Sequence, residues 1–91
     1  MNVRWTGKAH SDVSRLYDFL ASANRQAAAR TVQALVAAPI RLREHPRLGE
    51  RLDEFDPREV RRIIVGAYEI RYEIRDATIY VLRLWHARED R

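Results

Sequence analysis

The 91 residues carry 17 basic and 13 acidic side chains, a net charge of +4, and no cysteine. Without thiols, disulfides and thiolate metal sites are excluded, and no run approaches the roughly 20 apolar residues of a membrane span. An apolar share of 46% is ordinary for a folded chain, so a single domain over residues 1–91 is expected rather than disorder. Residues 1–10 lack the apolar core of a secretion signal, which makes a cytoplasmic protein the expectation. All basic residues but Lys8 are arginine. That excess suits an anionic partner, although genome composition alone can favour arginine, and the charges are interspersed rather than blocked.

The chain opens on a short β-prone run, NVRWT, after which Thr6 is placed to cap a helix. Ala9, Val13, Leu16, Tyr17 and Leu20 follow at helical spacing, which predicts an amphipathic helix over 8–22 with His10, Asp12, Arg15 and Asp18 on its other faces. Asn24 reads as the cap of a second, alanine-rich helix carrying Ala28, Val32, Leu35, Val36 and Leu42 on one stripe. Pro39 should break or kink it near residue 38, because its ring removes a hydrogen bond and clashes with the preceding turn. The short link between the helices forces an antiparallel hairpin.

HPRLGERLDEFDP, residues 45–57, is rich in proline and acids and reads as a connection with at most a short strand near 50–52. REVRRIIV, YEIRYEIR and TIYVLRLWH then alternate, separated by turn signals at Gly66-Ala67 and Asp76-Ala77. They predict a three-stranded antiparallel meander. Tyr68, Ile70, Tyr72 and Ile74 should share one face and Glu69, Arg71, Glu73 and Arg75 the other. In the last strand, strict alternation sets Ile79, Val81 and Trp85 against Tyr80, Leu82 and Leu84, so it should be interior and covered on both faces. The predicted class is α+β: an N-terminal strand at a sheet edge, a helical hairpin, then the meander.

Few residues invite chemistry. His10, His45 and His86 fall on separate elements with no metal-ligand spacing, and Gly7, Gly49 and Gly66 are explained by turns or a helix start. Neither a metal nor a cofactor is expected. The one local set for metal-free phosphodiester cleavage is His86 as acid or base, with Arg83, Arg88, Arg71 and Glu69 nearby. Alternation sends Arg83 and His86 to opposite faces, and His86 also suits a strand-end residue bonding the backbone. Trp5 and Trp85 read as core residues, or alternatively as anchors for a partner.

VRWT, Ala9 and Asp12, HPRLGE at 45–50, REVRRIIV, YEIRY and VLRLWHAR occur in an order that resembles the ParE branch of the RelE/ParE toxin superfamily over about residues 3–88. The resemblance implies the strand–hairpin–meander fold and a type II toxin–antitoxin system. The implied partner is a ParD-like antitoxin, a ribbon-helix-helix protein with an acidic C-terminal tail, in a hetero-oligomer with this chain. No sequence-specific DNA binding by the chain itself is expected.

RelE-like members cut mRNA in the ribosome, whereas ParE-like members inhibit DNA gyrase by protein contact. RelE-like nucleases carry a phosphate-contacting arginine where this chain has Glu69, and a carboxylate there repels phosphate. They also have a basic middle segment where this chain has RLDEFDPRE, and some add a tyrosine beside the terminal histidine where this chain has Ala87. Arg88 matches both branches. The expectation is therefore a non-enzymatic gyrase inhibitor, with Arg58, Arg61, Arg71, Arg83, Trp85, His86, Arg88 and the tail to Arg91 as candidate partner contacts. The alternatives are a ribosome-dependent endonuclease built on His86, Arg83, Arg71 and Arg88, and a module that only binds its antitoxin.

Overall fold

The computed structural model describes residues 1–88, so the candidate contacts at 89–91 lie outside the described residues. The elements are β1 (Asn2–Trp5), α1 (Gly7–Ala21), α2 (Arg25–Ala37), a 3-10 helix (Ala38–Arg43), β2 (Glu50–Arg51), a second 3-10 turn (Asp53–Phe55), β3 (Glu59–Val65), β4 (Tyr68–Arg75) and β5 (Thr78–His86). The α+β reading holds, and the sheet is wider than the meander alone. Its order is β1-β5-β4-β3-β2, with β1 parallel to β5 and the other pairs antiparallel.

The expected caps form. Thr6 Oγ1 accepts from the Ala9 N–H at 3.1 Å, and Asn24 Oδ1 accepts from the Ala27 N–H at 2.9 Å. These bonds satisfy amides that a helix start leaves unpaired. Pro39 acts where expected. The α-helix ends at Ala37, and the tighter 3-10 turn that follows buries Pro39 and Leu42, three residues apart on one side.

The hairpin packs on one sheet face, here the inner face, over Ile63, Ile70, Tyr72, Ile79, Val81 and Leu84. Leu35 and Leu42 come from the helical side, and Tyr68 and Ile74 flank the cluster. The YEIRYEIR alternation is therefore as read. The last strand is not. Arg71 pairs with Arg83 but Tyr72 pairs with Val81, so Leu82 is an extra residue, a β-bulge. From that point the parity inverts: Leu84 joins Ile79 and Val81 inside, and Trp85, expected with them, lies on the outer face. β5 is interior as expected, with Leu84 and Trp85 buried and Tyr80 and Leu82 half-buried.

The two hairpin turns differ. Gly66 alone has positive φ, +61°, at the first central position of its turn, whereas Asp76 (φ 51°) and Ala77 (φ 58°) are both left-handed. Two left-handed central residues match the twist of a two-residue hairpin, but alanine in that region costs about 1 kcal/mol. Ala77→Gly should therefore stabilise the chain by about 1 kcal/mol, seen as a higher urea midpoint with an unchanged slope.

Candidate functional site

Of the arginines that sequence reading singled out, Arg58 and Arg71 join Arg62 and Arg75 in a network on the outer face. Glu69 is buried there, 6% exposed, and its carboxylate accepts from Arg62 at 3.4 Å and from Arg71 at 3.1 Å. Arg71 lies with its guanidinium 4.7 Å from the Trp85 ring centroid and 5.4 Å from that of Phe55. Its Nε is buried and has no hydrogen-bond partner among the described residues. Arg58 forks onto Glu73 through bonds of 3.1 and 2.9 Å, and Arg62 also reaches Glu50 at 2.9 Å. The Arg58 fork holds the Glu73 carboxyl below its usual range, against the opposing effect of burial. Arg75 stacks on Tyr80 at 4.5 Å. The outer face is thus an ion-pair network, its charges largely neutralised in place.

Arg83 departs from this set. Beyond Trp5, β1 no longer covers β5, and the start of α1 closes the gap. The Thr6 N–H donates to Val81 O at 3.1 Å and Thr6 Oγ1 to Leu82 O at 3.0 Å. Asp12 Oδ2 accepts from the Leu84 N–H at 3.0 Å and from Arg83 Nε at 2.8 Å, and Arg83 also reaches Oδ1 at 3.1 Å. Arg15 pairs with the same carboxylate. Burial pushes the Asp12 carboxyl up, but the bonds from Arg83, Leu84 and Arg15 outweigh it and hold the pKa below its ordinary value. Asp12, expected on a polar face, is 2% exposed. The signal was present: Asp12 lies three residues after Ala9 and four before Leu16, on the apolar stripe itself.

His86 sits on the inner side, paired with Tyr68, the two rings edge-to-face at a centroid distance of 5.4 Å. Its Nδ1 accepts from the Arg88 N–H at 3.1 Å, the backbone role sequence reading offered for it. Arg83 and His86 do point apart. The bulge decides which goes where, because strict alternation would have put His86 on the outer face, the side of Arg71. The candidate catalytic set His86, Arg83, Arg88 and Arg71 is therefore not brought together.

The partner-contact candidates are equally dispersed. Arg58 is exposed but engaged by Glu73, and Trp85 is 6% exposed beneath Arg71. Arg61 faces inward along its strand, donating to Gly49 O at 2.7 Å and to Glu59 at 2.9 Å. Arg88 is exposed at the end of the described residues.

Sequence reading missed Tyr72 as a pin and missed the cations of β1 and the 3-10 helix. Tyr72 is fully buried, and its hydroxyl donates to Pro46 O at 2.7 Å while accepting the Gly49 N–H at 3.0 Å. It fixes the HPRLGE connection. Burial raises the phenol pKa, which keeps the hydroxyl protonated and able to donate. Arg4, Arg41 and Arg43 form no ion pair among the described residues. They lie around an open groove of mixed lining, about 510 Å³, between β1 and the 3-10 helix, and a neighbouring one of about 570 Å³ past Met1.

Among the described residues no helix is long and apolar enough to cross a membrane. Residues 3–91 match the family described as ParE toxin of type II toxin-antitoxin system, parDE. A protein named Toxin RelE2 from Caulobacter vibrioides is 33% identical over 85 residues, 93% of each chain. A solved structure, titled as the chromosomal ParDE TA system from P. aeruginosa, has a chain that superposes with a TM-score of 0.80. The match is at 22% identity and covers 94% of this chain and 95% of that one. The last of these speaks for the fold alone. The family match spans most of the sequence and, beside a toxin relative of 33% identity, places the chain in the ParE family of type II toxin–antitoxin toxins.

Proposed function

We propose that this toxin acts by binding DNA gyrase rather than by cutting RNA, and that a ParD-like antitoxin with an acidic tail neutralises it in a cytoplasmic hetero-oligomer. The observation that carries the reading is Glu69, buried on the outer face and holding Arg62 and Arg71. Metal-free phosphodiester cleavage needs cations aimed at the phosphate and an acid or base beside it. Here the arginines are neutralised by Glu69 and Glu73, Arg83 is tied to Asp12, and His86 faces the other way. Partner contact then falls to surfaces outside that network, including the tail.

The gyrase target rests on family resemblance. Purified protein at stoichiometric excess should block gyrase supercoiling and accumulate cleaved DNA; no effect would remove the target. The name of the Caulobacter relative keeps one competitor in view, ribosome-dependent mRNA cleavage. Under the gyrase reading His86→Ala keeps gyrase inhibition within about threefold and toeprints of translated mRNA stay uncut. New toeprint stops with wild-type protein that vanish in His86→Ala would reverse the assignment.

A further inference from the structure

Between Asp18 and Glu44 the chain has no acid, and that stretch holds Arg25, Arg30, Arg41 and Arg43. These four charges equal the whole net charge of +4, since the other 13 bases are matched by 13 acids. The structure keeps the two populations apart. The ion pairs among the described residues engage arginines of α1, the strands and the connections beside them, and none involves these four. All four are exposed, on α2 and the 3-10 helix that follows it.

α2 turns a polar stripe outward. Gln26, Arg30, Gln33 and Ala37 recur at spacings of four, three and four and are all exposed, while Ala28 and Leu35 are buried on the opposite side. Arg25 starts the helix, whose first turn holds no acid. The helix dipole favours the reverse, an acid at the start, so helix stability does not account for a cation there. Arg41 and Arg43 carry the charge on through the 3-10 helix. Thirteen residues of α-helix and six of 3-10 helix make this acid-free ridge roughly 30 Å long, close to the roughly 34 Å of one duplex turn.

The chemistry of the stripe selects its partner. Arginine and glutamine side chains donate to phosphate oxygens, whereas protein interfaces centre on aromatic or other large anchors packed in pockets. The stripe has no such anchor; its one apolar residue is Ala37. Val36 and Ile40, also exposed, lie off it and line the groove beside β1.

We propose that the outward face of α2 and the 3-10 helix binds the phosphate backbone of duplex DNA without reading its sequence. A duplex presents one negative charge per roughly 1.7 Å, and neutralising several phosphates releases their counterions, which drives binding. The binding itself stands apart from the gyrase reading. Its use rests on that reading: a toxin seated on gyrase would hold the target's DNA through this face.

The test is fluorescence anisotropy of the full chain with a labelled duplex of about 20 base pairs, from about 50 to 200 mM salt. Four phosphate contacts set a slope of log affinity against log salt of about −3 to −4. Scrambling the duplex sequence should leave affinity within about twofold. Arg30→Gln with Arg41→Gln should make the slope shallower by about 2 and weaken binding at least tenfold at the lowest salt. Arg30→Lys with Arg41→Lys should keep the slope. Arg51→Gln with Arg75→Gln removes equal charge from the sheet and should change affinity less than about threefold. Amide shifts on titration should fall on α2 and the 3-10 helix.

A slope shallower than about −1, equal losses in the two glutamine pairs, or shifts confined to the sheet would each overturn the proposal. So would tighter binding, at equal salt and charge, of single-stranded RNA or of a glutamate-rich peptide, which would assign the face to that partner. Gyrase supercoiling is the separate readout. A chain that binds duplex as described but leaves gyrase active would undo the target and keep the DNA face; inhibition without duplex binding would do the opposite.

Discussion

Asp12→Ala should lose about 3 kcal/mol of folding stability, far more than an exposed helix position would. The carboxylate is buried and receives the Leu84 N–H and two bonds from Arg83. Its removal leaves a buried amide without a partner and takes from the part-buried Arg83 guanidinium the carboxylate that accepts two of its bonds, each costing on the order of 1–3 kcal/mol. Arg83 is one-third exposed, so water recovers part of its share and the total stays near the middle of that range. Asp12→Asn keeps an acceptor for the Leu84 amide and should recover roughly half the loss. A double-mutant cycle with Arg83→Met would separate the ion pair from the backbone bond.

The same carboxylate sets a pH response. Asp12 and Glu73 have folded pKa values below their unfolded ones. Their stabilisation is therefore complete above the unfolded values near 4 and is lost as pH falls through the folded ones. The melting temperature should be flat from pH 7 to about 5 and fall below that. Asp12→Asn should flatten the fall; an equally steep decline in that variant would assign the acid response to other carboxylates.

Gly49→Ala is the second large effect expected, a loss of about 2–3 kcal/mol. A Cβ at position 49 would stand 2.5 Å from the Arg62 carbonyl oxygen and 2.8 Å from the Tyr72 hydroxyl. The first is backbone within β3 and the second is held by Pro46, so neither yields without breaking a bond. Tyr72→Phe in the same background separates the two clashes. It removes the hydroxyl and should relieve part of the Gly49→Ala penalty while costing about 1–2 kcal/mol itself. Urea unfolding of the two single variants and the double variant decides it, and strict additivity would mean that the Tyr72 contact carries none of the clash.

The helices, their caps, the break at Pro39 and strands β3 to β5 were legible because each is written in local period and turn chemistry. The β5 bulge was not. Leu82 is as apolar as its neighbours, and nothing in composition says that one residue is skipped by the ladder. Asp12 and Tyr72 were half-legible: their positions on buried stripes could be read, but their polar partners come from residues 84 and 46, distant in sequence. At the candidate site, Glu69 could be singled out by resemblance. That Glu73 and Asp12 hold Arg58 and Arg83 required knowing which elements meet in space.

The skipped residue in β5 makes the ladder, rather than residue number, the quantity that assigns the chain's end to a side of the sheet. Deleting Leu82 leaves Arg71 opposite Arg83 and Ile70 opposite Leu84, so Leu84 stays in, Trp85 out and His86 on the inner side. Drawing Leu82 into the ladder at unchanged length would instead carry His86 to the arginine face, at once turning Leu84 out and Trp85 in. The C-terminal segment is thus indifferent to losing that residue and sensitive to its being paired.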